Sequence, residues 1–204
     1  MRGRAATVAL AVAVASMPSG AVAEALLKSA LLPPVMPACI SSAFGPRVLP
    51  NQPEAGTYHY GVDLPAPVGA AVTATADGTV IRIQRKGPGG LEMLVQHQGF
   101  VGIYSHFGSI APAFAEGKRA VAAGEKLGVI GRTGVTSGAH LYFEMILDGK
   151  PVDPAPYLRL AHCGGGSAAM VKAPVANSSK VGGRRYYQIL LPDRPYYDWQ
   201  KPQP

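Results

Sequence analysis

Between residues 70 and 147 the apolar and polar positions fall into short runs and show no helical stripe. Six runs, 71–75, 79–85, 91–97, 101–106, 127–130 and 140–147, are β-branched or alternate with a period of two. Turn signals close them: Ala76-Asp77-Gly78, Gly87-Pro88-Gly89-Gly90, Gln98-Gly99, Gly124-Glu125 and Asp148-Gly149, the last reading as a two-residue hairpin. This pattern predicts a mainly β fold of antiparallel sheet. In the last run, alternation puts His140, Tyr142 and Glu144 on one face and Leu141, Phe143 and Met145 on the other, one face for chemistry and one for the core. The segments 86–90 and 107–119 read as loops beside it.

The ends differ in character. Arg2 and Arg4 precede an apolar run over residues 5–17, and Ala21-Val22-Ala23 before Glu24 is a small-x-small cleavage site, so residues 1–23 read as a signal peptide. An uncleaved anchor is the alternative, but the run is shorter than the roughly 20 residues that span a bilayer. The expectation is a periplasmic or secreted envelope protein with no transmembrane segment after cleavage. Residues 24–38 form an arm, helical or flexible until Pro33, Pro34 and Pro37 end it. Residues 39–163 form the domain. Residues 164–204 are a Gly/Ala/Ser linker and a basic, aromatic tail with Arg184-Arg185-Tyr186-Tyr187 and Trp199. That tail reads as an edge strand or disordered segment, with glycan stacking as the functional alternative.

Composition sharpens this reading. The 25 glycines and 19 prolines favour tight turns between strands. Once Arg2 and Arg4 are removed, seventeen basic residues face twelve acidic ones, a formal +5 that suits an anionic envelope polymer. No nucleic-acid recognition motif is present, and no such partner is expected. Cys39 and Cys163 are the only cysteines, and an oxidising compartment makes their pairing the natural expectation. A pair of thiolate metal ligands is the alternative, without the usual close spacing.

Three of the five histidines sit where a zinc hydrolase needs them. His59 and Asp63 are separated by three residues including Gly61, where a bend would turn both toward one point. His106 closes a run, and His140 opens the last one; His97 and His162 read as ordinary core or surface residues. Taken with Phe44-Gly45-Pro46-Arg47, Ala76-Asp77-Gly78-Thr79-Val80, Tyr104-Ser105-His106-Phe107 and the stretch 131–144, the chain resembles the lysostaphin-type zinc endopeptidases that cut peptide cross-links in peptidoglycan. The resemblance covers about residues 40 to 158 and implies that family's antiparallel β-sheet sandwich.

The resemblance implies zinc as cofactor, His59 and Asp63 as metal ligands, and Tyr142 at the third ligand position, where the family has the second histidine of a His-x-His motif. It implies catalytic roles for His106 and His140 in activating water and stabilising the oxyanion. A phenol is a poor substitute for imidazole: holding it as phenolate at pH 7 costs roughly 4 kcal/mol. Three readings follow: a peptidoglycan-binding or regulatory module acting with a partner cell-wall hydrolase, with zinc catalysis weakened or lost; an active zinc endopeptidase; or a purely structural envelope protein.

Overall fold

Alternating side chains let one strand serve two faces at once, and the long runs do so in the computed structural model, which describes residues 31–47 and 56–164. The strands are β1 (Gly45–Pro46), β2 (Tyr58–His59), β3 (Val62–Pro65), β4 (Ala71–Thr73), β5 (Gly78–Arg85) and β6 (Leu91–His97). They continue as β7 (Phe100–Ser105), β8 (Phe107–Ile110), β9 (Ala120–Val121), β10 (Lys126–Ile130), β11 (His140–Leu147) and β12 (Lys150–Val152). Two short helices, α1 (Pro112–Ala115) and α2 (Ala155–Leu158), complete the described elements. The large sheet has the order β12-β11-β7-β6-β5-β9 with β3 also paired to β11; a second sheet is β4-β10-β8, and β1 pairs β2. Every strand pairing is antiparallel. The expected signal peptide, nearly all of the linker and tail, and the arm up to residue 30 lie outside the described residues. Residues 31 and 32 carry no helix, and Leu31 and Val35 belong to the core. Among the described residues no helix is long and apolar enough to cross a membrane.

Leu141, Phe143 and Met145 of β11, Tyr104 of β7 and Met93 and Val95 of β6 lie in one core cluster with Val72, Phe107, Leu127 and Ile130 of the second sheet. The opposite parity of the same three strands carries Ile146, Ile103, Val101 and Leu94 as a smaller apolar cluster and, toward the start of β11, His140, Tyr142 and Glu144. The candidate chemistry therefore sits at the polar end of the outer face. Segment 107–119, expected as loop, instead supplies β8 and α1, with Phe107 and Phe114 fully buried. Gly108 interrupts its apolar pattern, and a register shift on β10 accommodates the short strand.

A buried polar clasp ties the two sheets. The His97 Nδ1–H donates to the Asp77 carbonyl (3.0 Å), so its Nε2 accepts the Tyr104 hydroxyl (3.1 Å). The Tyr104 oxygen in turn accepts the Thr75 amide (3.1 Å) and its hydroxyl (3.0 Å). Tyr104→Phe strands the Thr75 amide and His97 Nε2, and we expect it to cost about 1–3 kcal/mol in denaturant unfolding with an unchanged m-value. At the ends, Cys39 and Cys163 form a disulfide over a separation of 124 residues, which removes roughly 5 kcal/mol of unfolded-chain entropy in the simple loop treatment.

Candidate metal centre

Residues 40–47 run from the disulfide to the site and fasten it by main chain. The Ser41 amide donates to the Asp63 carbonyl and the Asp63 amide to the Ser42 carbonyl, at 2.9 and 3.0 Å. The His59 Nδ1–H donates to the Ala43 carbonyl at 2.9 Å, which fixes the ring and aims Nε2 at Asp63. Between β2 and β3 the chain bends at Gly61, and β3 then pairs with β11 so that Asp63 stands opposite Tyr142. Arg47 lies 3.6 Å from Asp63 Oδ2 and donates to Ser42 Oγ at 3.2 Å.

His140 opens β11 with its Nδ1–H on the Gly138 carbonyl (3.0 Å) and in contact with Thr136 Oγ1 (3.1 Å). Its Nε2 and that of His59 reach the same oxygen, Asp63 Oδ1, at 3.3 and 3.2 Å. His106 follows β7 in the left-handed region (φ 69°), an uncommon state for a residue with a side chain. Its Nδ1–H donates to the Thr133 carbonyl at 2.8 Å, and its ring meets that of His140 edge-on at 4.7 Å. The Tyr142 ring lies 5.3 Å from His59 and 6.2 Å from His106. The structure thus brings His59, Asp63, His106, His140 and Tyr142 together. Sequence reading did not find the Ala43, Thr133 and Gly138 carbonyls that orient the imidazoles, because a main-chain acceptor carries no residue signature. It also passed over Glu92, which accepts Ser105 Oγ and Gln84 Nε2 at 2.9 and 2.8 Å in the neighbouring strands.

The charges follow from this packing. Burial opposes ionisation of Asp63, but hydrogen bonds from His140 and His59 outweigh it and hold the carboxyl well below the usual range. Burial likewise opposes charge on His140, yet its contact with Asp63 raises its pKa above the ordinary value. His106 goes the other way, pushed down from 6.5 to about 4 by burial and then by the charge of His140. A group depressed in the folded state contributes stability above its unfolded pKa and loses it as the pH falls. From the His106 shift we expect unfolding free energy to drop by on the order of 3 kcal/mol between pH 6.5 and 4. His106→Gln should flatten that fall in denaturant titrations at pH 7 and 4.5. The His140 contribution has the opposite sign, present at pH 6.5 and lost as the pH rises through its raised value.

Tyr142 decides how well the side chains suit a metal. Its hydroxyl donates to Glu144 Oε2 at 2.9 Å, and burial together with the Glu144 charge raises its pKa well above 10. A neutral phenol whose proton is committed to a carboxylate does not supply the third donor of a tetrahedral zinc site. His59 and Asp63 fit such a site, and the full set through Tyr142 does not. Among the described residues no group of three or more His, Cys, Asp and Glu stands ready to hold an ion.

Comparison with known proteins bears on this arrangement. Residues 57–154 match peptidase family M23. The DD-carboxypeptidase/endopeptidase Mpg of Neisseria meningitidis is 37% identical over 116 residues, 56% of this chain and 26% of that protein. The murein hydrolase activator NlpD of Salmonella dublin is 33% identical over 100 residues, 48% of this chain and 26% of that protein. The chain therefore spans about a quarter of the length of these curated relatives. Among solved structures, a zinc-containing peptidase from Vibrio cholerae superposes with a TM-score of 0.54 at 28% identity, over 66% of this chain and 41% of that one. The catalytic domain of lysostaphin from Staphylococcus simulans gives 0.50 at 25% identity, over 60% and 92%.

Proposed function

We propose, from the match of residues 57–154 to peptidase family M23, that the chain is a peptidoglycan-directed binding or regulatory module of the cell envelope, with zinc hydrolysis weakened or lost. The observation that carries this reading is the Tyr142–Glu144 hydrogen bond, which occupies the oxygen at the third ligand position and keeps it protonated. Relatives named as a DD-carboxypeptidase/endopeptidase and as a murein hydrolase activator support the two halves of the proposal, wall recognition and action through a partner hydrolase. The signal peptide expected at residues 1–23 supports a periplasmic or secreted location.

The retained side chains suit recognition. His106, neutral at pH 7, has its Nδ1–H on the Thr133 carbonyl, leaving Nε2 as an acceptor. His140 beside Asp63 favours the cationic, donating form. His106 thereby offers an acceptor to a peptide's N–H, while both N–H groups of His140 are taken up by the Gly138 carbonyl and Asp63. The gathering of His59, Asp63, His106 and His140 is also what favours the second reading, an active endopeptidase.

Purified walls distinguish these readings. Residues 24–204 should sediment with isolated peptidoglycan and release no dye from labelled walls. Chelator-sensitive dye release by the unaltered chain would establish the endopeptidase instead, and failure to sediment would remove the wall-directed role.

A further inference from the structure

We propose that Thr133 is the residue that positions His106 for a bound peptide, holding it at two points from a neighbouring loop. The Thr133 carbonyl accepts the His106 Nδ1–H at 2.8 Å. Its hydroxyl donates to the carbonyl of Phe107, the next residue along, and accepts the Leu91 amide, both at 2.9 Å. The imidazole and the main chain that carries it are thus fixed by a single residue. The inference rests on the binding reading above, in which His106 Nε2 accepts a peptide N–H.

The backbone around His106 shows why it has to be held. Its left-handed conformation (φ 69°) is unfavourable for a residue with a side chain and persists only where the surrounding structure over-determines it. The His106 amide donates to the Gly89 carbonyl, and its carbonyl accepts the Gly131 amide, both at 2.9 Å. Those glycines belong to segments 87–90 and 131–135, which meet again where the Val135 amide donates to the Pro88 carbonyl at 2.7 Å. The two segments approach too closely for side chains at their glycines: a methyl group at Gly90 would run into the Thr133 main chain, and one at Gly134 into the Pro88 carbonyl. Thr133 lies in this seam.

A hydroxyl suits the position because it donates and accepts at once. Valine has nearly the same shape and does neither, so it would strand the Leu91 amide and the Phe107 carbonyl and let the Thr133 carbonyl turn away from the ring. Without that carbonyl, a neutral imidazole can carry its proton on either nitrogen. The Nε2–H form presents a donor where a peptide N–H needs an acceptor.

The test follows the ring nitrogens of His106 in NMR spectra of residues 24–204 at pH 7, together with sedimentation on isolated peptidoglycan. The parent should show Nδ1 protonated and Nε2 bare. Thr133→Val should give a mixture of the two tautomers and weaken wall binding on the order of tenfold, the share of one hydrogen bond. Thr133→Ser keeps the hydroxyl and should retain the parent's tautomer, with binding within about threefold. Tyr104→Phe separates positioning from stability: it weakens the fold at the polar clasp and should leave tautomer and binding as in the parent. A parent ring protonated on Nε2, a folded Thr133→Val protein with the parent's tautomer, or a Thr133→Ser protein that loses it would each overturn the assignment. The parent and serine spectra decide the question even where the valine variant does not fold. Failure of the parent to sediment, or dye release from walls, would defeat the binding reading and leave the tautomer assignment standing.

Discussion

Tyr142→His is expected to raise zinc affinity by on the order of 100-fold and to create chelator-sensitive cleavage of labelled peptidoglycan. The substitution places an imidazole opposite Asp63 in the β11–β3 register, beside the His59 ring. It removes the donor to Glu144 and leaves that carboxylate able to accept an imidazole N–H, the arrangement that holds a metal-bound ring in one tautomer. With a nitrogen at the third position, His140 stands beside His106, the two histidines that the family resemblance assigns to water activation. Tyr142→Phe is the control: it removes the same hydroxyl without supplying a ligand, and cleavage should not appear. Zinc measured by chelator competition and dye release read in parallel check both halves. A Tyr142→His protein that binds no more zinc than its parent sinks this account of the third position.

Gly61→Ala is expected to destabilise the fold by at least about 3 kcal/mol and to abolish wall binding. A methyl group at Gly61 would lie 2.4 Å from the Phe143 carbonyl oxygen and 2.9 Å from the Tyr142 ring. The first contact is with backbone, so relief requires β3 to move away from β11. That movement breaks the register that puts Asp63 opposite Tyr142 and draws Asp63 away from His140. Thermal or denaturant unfolding reads the first effect. The NMR shift of the His140 ring, which loses its carboxylate neighbour, reads the second. An alanine variant of parental stability with the Asp63–His140 contact intact would show that the close approach is not required.

The long strands are legible in the residue pattern because their β-branched and alternating residues pack against apolar clusters on one or both faces. In β11, Leu141, Phe143 and Met145 are buried in the core, while His140, Tyr142 and Glu144 share the other face. The short elements are not legible there, since β1, β2 and β9 have two residues each and show no period. Segment 107–119 departs from its loop expectation for a related reason: Gly108 and Gly117 read as loop, while the burial of Phe107 and Phe114 depends on a second sheet that local sequence does not reveal.

The chain's own residue pattern determined the mainly β antiparallel fold and the resemblance to lysostaphin-type peptidases, because side-chain period and ordered motifs are local properties. It also singled out Tyr142, because replacing imidazole by phenol is a difference in chemistry that needs no coordinates. Only the tertiary structure decided where the Tyr142 proton goes, how the Ala43, Gly138 and Thr133 carbonyls set three imidazoles, and that His59 and His140 meet on one oxygen of Asp63. The physical reason is that hydrogen-bond direction and charge coupling depend on distances of about 3 Å, and these are set jointly by the β3–β11 pairing and by the loop segments that carry Ala43, Thr133 and Gly138.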